Sequence, residues 1–115
     1  MAVIGDNSPF AWVSMYAHGT ATISESYGVS SVSRIQLGTH QINFSSYNSG
    51  NNYCVVGECG ADRNDWDDGD DDNDHALIVL NRSSGSCRMG AFDMDDGNND
   101  DPKRIYAAFY STQGN

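Results

Sequence analysis

Hydrophobic positions in this chain recur every second residue, in short runs broken by glycine, asparagine and aspartate. In Thr39-His40-Gln41-Ile42-Asn43-Phe44, His40, Ile42 and Phe44 fall on one face, which is the two-residue period of a half-buried strand. No segment carries a competing helical period. Reading between turn signals predicts about eight strands, near Ala11 to Ala17, Thr20 to Tyr27, Ser30 to Gln36, Thr39 to Ser45, Asn52 to Glu58, His75 to Asn81, Ser86 to Phe92 and Arg104 to Ser111. Gly19, Gly28, Gly38, Gly50, Gly85 and Gly97 fall between them, where a left-handed backbone costs glycine little. The expected fold is all-β, a small antiparallel β-sandwich of jelly-roll-like form. Residues 11–115 make its single domain and residues 1–10 a short arm ending near Pro9.

Two strands are apolar on both sides. In Arg104 to Ser111, Ile105, Ala107 and Phe109 point one way while Tyr106, Ala108 and Tyr110 point the other. In Ala11 to Ala17, Val13 and Met15 oppose Trp12 and Tyr16. A two-layer sandwich wets the outer face of each sheet, so this second apolar face needs a partner. Trp12, Tyr16, Tyr106 and Tyr110 are therefore the candidate subunit-interface residues.

Composition narrows the classes of function. A chain of 115 residues supports one core. Its net charge of −10 with only six scattered Lys and Arg argues against nucleic acid and against anionic membranes. The start, MAVIGDNSPF, has neither a basic region nor an apolar core of a secretory signal, and no apolar run is long enough to span a bilayer. The expected site of synthesis is the cytoplasm. Cys54, Cys59 and Cys87 are odd in number and lack zinc-site spacing. They read as buried free thiols, with a Cys54–Cys87 bridge left open for an oxidising setting.

Acidic residues cluster in Asp62 to Asp74 and again in Asp93 to Asp101, each containing Asp-Asp-Gly. Such oxygen-rich turns suit Ca²⁺ in general. The EF-hand register fails, because taking Gly69 or Gly97 as the sixth position puts Asn64 or Phe92 at the first. Three readings stay open: a solvated, self-repelling loop, weak Ca²⁺ binding, or recognition of a sugar or basic surface with Trp66 as the stacking ring. Trp66, Asp68, Asp70 and Asp96 are the candidate receptor or ligand residues. If the loop is merely solvated, Asp68→Asn with Asp70→Asn leaves the melting temperature in chelator nearly unchanged.

Catalytic and metal motifs are missing. His18, His40 and His75 sit in separate segments without metal-ligand spacing, and there is no G-x-S-x-G elbow. With sixteen acids in the chain, no particular pair is marked for glycoside hydrolysis. A non-catalytic protein with no cofactor is expected.

The order of residues resembles a β-domain that recurs in structural proteins of tailed bacteriophages, often at fibre ends. Those domains read A-W-V-x-F-x-G-T-x-T-I, then V-S-S-I, then a turn into Y-T-V-x-F, then A-x-Y-x-V. Ala11-Trp12-Val13, Gly19-Thr20, Thr22-Ile23, Val29-Ser30-Ser31-Val32, Ile42-Asn43-Phe44 and Asn52-Tyr53-Cys54-Val55 follow that order, and Ile105 to Tyr110 resembles the final strand. Two features depart from it: Ile35 and Leu37 before the Gly38 turn, and the insertion Asp62 to Asp74. The resemblance implies a virion protein on the particle exterior, a homotrimer in contact with other virion proteins. It would act in a tail fibre or fibre tip that meets a bacterial surface receptor. A capsid decoration protein is the alternative, followed by a carbohydrate-binding module.

Overall fold

A computed structural model describes residues 8–46, 51–60, 75–94 and 97–111. They form eight strands: β1 (Ala11–Tyr16), β2 (Thr22–Tyr27), β3 (Val29–Gln36), β4 (Thr39–Phe44), β5 (Tyr53–Gly60), β6 (His75–Arg82), β7 (Ser86–Asp93) and β8 (Arg104–Ser111). Two antiparallel sheets result, ordered β2-β1-β8-β5 and β3-β4-β7-β6. They pack as a sandwich, as the alternation predicts, and the strand limits differ from the sequence reading by at most two residues. Among the described residues no helix is long and apolar enough to cross a membrane.

The inner faces supply the core. Val13 and Met15 of β1, Ile42 and Phe44 of β4, Cys87 and Met89 of β7, and Ile105, Ala107 and Phe109 of β8 are all buried. One end of the sandwich is closed by aromatic rings. Phe44 meets Phe109 at 5.0 Å and Phe10 at 5.1 Å, and Tyr53 meets Phe44 at 5.7 Å, all edge to face, the arrangement ring quadrupoles favour. Phe10 thus packs with the core, and its N–H donates to the Phe109 carbonyl at 2.9 Å. Residues 1–7 of the expected arm lie outside the described residues. The Tyr53 hydroxyl is in hydrogen-bond reach of the Ser83 (3.0 Å) and Ser86 (2.9 Å) carbonyls.

The opposite end is held by a buried carboxylate. Asp101 is 4% exposed. Its Oδ1 accepts from the Gly38 N–H at 2.7 Å, and its Oδ2 accepts from Arg34 Nε at 2.8 Å and from the Gly19 N–H at 3.2 Å. Gly19 lies in the β1–β2 turn and Gly38 in the β3–β4 turn, so one side chain ties a hairpin of each sheet to the segment that enters β8. Burial pushes the Asp101 carboxyl up, but the Gly38, Arg34 and Gly19 hydrogen bonds outweigh it and hold it below the ordinary carboxylate range. Beside it, His40 is fully buried, donates Nε2 to the Ala17 carbonyl at 3.1 Å, and lies 3.9 Å from Asp101 Oδ1. Burial lowers its pKa against the pull of Asp101.

The turn at Gly38 has a second constraint. Its φ is +77°, and a Cβ there would lie 2.7 Å from the Ala91 carbonyl oxygen and 2.9 Å from the Asp100 nitrogen. Both strain and crowding exclude a side chain. Gly38→Ala is expected to cost about 1–3 kcal/mol, read by urea unfolding.

Two expectations are corrected here. The acidic run before β8 is not simply solvated: Asp93 and Asp101 are buried, and Asp100 Oδ2 bonds His75 Nε2 at 3.1 Å. The cysteines are free, and they are not uniformly buried. Cys54 is exposed on β5, Cys59 is half-buried and Cys87 is buried. Cys54 shares an outward row with Tyr110 whereas Cys87 points into the core, so the Cys54–Cys87 bridge does not form. Burial, then the charge of Glu58, pushes the Cys59 thiol up to about 11, which suppresses its thiolate.

Candidate binding face

The two outer faces of the sandwich differ in kind. On the β3-β4-β7-β6 sheet, Arg88 donates to Gln41 (2.8 Å), Gln41 to Asn43 (2.9 Å) and Asn43 to Ser31 (3.0 Å). These polar side chains bond one another, although the buried Arg88 Nε has no partner, and Ile78 and Leu80 are exposed toward the β6 edge. The outer face of the β2-β1-β8-β5 sheet is aromatic instead. Strand register places Trp12, Tyr16, Tyr106 and Tyr110 together on it, the face inferred from the sequence.

Register also explains its shape. One cross-strand row reads Tyr27, Trp12, Ala108, Val56, and the next reads Glu25, Ser14, Tyr106, Glu58. Each row sets a small side chain between larger ones, so the surface sinks at Ser14 and Ala108. An open groove of about 590 Å³ results, bordered by Trp12, Val56 and Tyr106, with Glu25 and Glu58 at its two ends. A bulge between Ser14 and Met15 lies beneath it, the kind of irregularity that re-aims side chains on a sheet. Trp12 is 37% and Tyr106 38% exposed. Tyr16 and Tyr110 lie on the same face but outside the groove.

Charged groups are placed around the rings. Arg104 sits with its guanidinium carbon 5.8 Å from the centre of the Tyr106 ring, within cation–π range. Its Nη2 donates to Ser24 at 2.9 Å and to Ser14 at 3.4 Å. Glu25 and Glu58 are the chain's two glutamates, and both are exposed. Every other acid is an aspartate.

Compared with protein-family models, with curated proteins and with solved structures, the chain has no match. Its chemistry must be read from its own surface. The candidate residues Trp66, Asp68, Asp70 and Asp96 lie outside the described residues. Among the described residues no group of three or more His, Cys, Asp or Glu is gathered as a metal site.

Sequence reasoning missed Glu25, Glu58 and Asp101. The first two carried a usable signal, since a glutamate inside a predicted strand is unusual in a chain that otherwise keeps its acids in aspartate runs. Asp101 carried none, being one aspartate among many.

Proposed function

We propose that this chain is a non-catalytic structural protein of a tailed-bacteriophage particle, displayed on the exterior as a tail-fibre or fibre-tip component that takes part in host attachment. The observation that carries this reading is the contrast between the two outer faces, one a polar patch hydrogen-bonded to itself beside the exposed aliphatic Ile78 and Leu80, the other aromatic and grooved. A surface of that second kind is built to meet something outside the chain. The resemblance of the residue order to phage β-domains suggests the setting. The charge of −10 suits a protein crowded in many copies on one particle.

In this reading the protein assembles as a homotrimer, with Tyr16 and Tyr110 toward neighbouring subunits and the groove left open. Light scattering on the purified chain is expected to give about three times the 12.5 kDa of one copy, stable on dilution into the low micromolar range. A monomer at those concentrations contradicts the assembly. Electron-microscopy density of the particle tests the location. Density at the tail fibre supports the proposal, and density on the capsid shell makes the chain a decoration protein.

A further inference from the structure

We infer that the groove between Trp12 and Tyr106 is a glycan site, which takes a neutral pyranose of a bacterial surface polysaccharide. The inference rests on the attachment reading and names the ligand for it.

A pyranose has an apolar C–H face and a rim of hydroxyls that both donate and accept hydrogen bonds. A site for it needs an exposed aromatic surface flanked by polar groups of both kinds. Trp12 lies opposite Ala108, and Tyr106 lies two residues from Ala108 on the same strand. Such diagonal neighbours are roughly 7–8 Å apart, close enough for one sugar ring to touch both. Glu25 and Glu58 place carboxylate acceptors at the two ends, Ser14 adds a hydroxyl between the rings, and Arg104 supplies donors from the adjacent row. The groove is open and shallow, which admits an internal residue of a long polysaccharide as readily as its end.

The same residues disfavour other occupants. A phosphate or an acidic peptide would meet Glu25 and Glu58. A cationic side chain would find the Tyr106 ring already faced by the Arg104 guanidinium at 5.8 Å and would be repelled by it. A second copy laid face to face would desolvate the glutamates of both chains, which is costly without matched partners. Among the described residues lining the groove there is no Lys or Arg to pair with them. A neutral, hydroxyl-rich ring is compatible with all of these groups at once. Weak single sites of this kind gain strength when several copies engage one repeating polymer.

The test uses the full chain on an array of purified lipopolysaccharide O-chains and capsular polysaccharides, with polylysine as the charge control. The neutral oligosaccharide fragment of any retained polymer is then titrated, followed by calorimetry and tryptophan fluorescence. Trp12→Ala and Tyr106→Ala are each expected to weaken binding by at least about tenfold, Glu58→Gln by about three- to tenfold, and Ile78→Ala on the opposite sheet not at all. Trp12→Phe, which keeps a ring, is expected to retain most of the binding. Thermal melting of each variant identifies any that fails to fold, and Glu58→Gln, an exposed isostere, keeps the test decisive if an aromatic variant does. The inference is overturned if no polysaccharide is retained, if polylysine is retained equally well, or if binding ignores Trp12, Tyr106 and Glu58. It is also overturned if self-association shields Trp12 from acrylamide quenching. Absence of glycan binding by a protein located at the fibre would remove the glycan alone. Glycan binding by a protein missing from the particle would remove the virion setting alone.

Discussion

Replacing Asp101 with alanine is expected to lower the stability of the domain by about 3–5 kcal/mol, read as a fall in urea midpoint at unchanged slope. The change leaves two backbone N–H groups, of Gly19 and Gly38, without their acceptor and removes the partner of Arg34. The buried Gly38 donor left unmade costs about 1–3 kcal/mol, while the exposed Gly19 and Arg34, with a third of its side chain exposed, recover part of their loss in water. Asp101→Asn is not expected to rescue the fold. Oδ1 and Oδ2 both accept hydrogen bonds, so an amide nitrogen in either place would face a donor. An Asn variant of wild-type stability would mean that the carboxylate does not bind the two sheets together.

Acid should reach this end of the sandwich in two stages of the same sign. His40 is held neutral by burial, so its folded value lies below 6.5 while the unfolded chain titrates near 6.5. Its contribution is complete above that pH and declines as pH falls toward the depressed folded value. Asp101 follows lower down. Its folded value lies below 3.8, so its contribution is complete above the unfolded value and is lost as pH drops through the folded one. Melting temperature measured from pH 8 to pH 3 is expected to fall first below about 6.5 and again below about 4. His40→Gln, which cannot titrate, should abolish the first decline and keep the second.

Phe109→Ala is the other large effect, about 3–5 kcal/mol for a fully buried ring. Phe109 contributes to both layers of the core, meeting Phe44 of the other sheet at 5.0 Å and Phe10 at 6.3 Å. Its removal opens a space among rings anchored on three different segments, and those anchors limit how far the cavity can collapse. A loss below about 1 kcal/mol in urea unfolding would mean that the aromatic end repacks freely.

The strands were legible because each one alternates, and alternation is a local property. Inner and outer sides could be assigned for β1 and β8 from parity alone, which placed Trp12, Tyr16, Tyr106 and Tyr110 on one side before any pairing was known. The groove was not legible. It depends on β8 lying between β1 and β5 and on the register that sets Ala108 opposite both Trp12 and Val56. A slip of one residue would turn Ala108 inward and fill the hollow. Asp101 was hidden for a related reason. Its partners at Gly38 and Gly19 are 63 and 82 residues away in sequence, so nothing adjacent to it distinguishes a buried anchor from the wetted aspartates around it.

Strand direction gathers the described aspartates, Asp93, Asp100 and Asp101, toward one pole. β5 ends and β6 begins at the end where Asp101 sits, as do the exit of β7 and the entry of β8. The described aspartates of each molecule thus sit at one end, and an array of them would present either a fringe of such ends or an alternation of heads and tails. Low ionic strength, which lengthens the reach of that asymmetry, would favour whichever ordering keeps the poles apart.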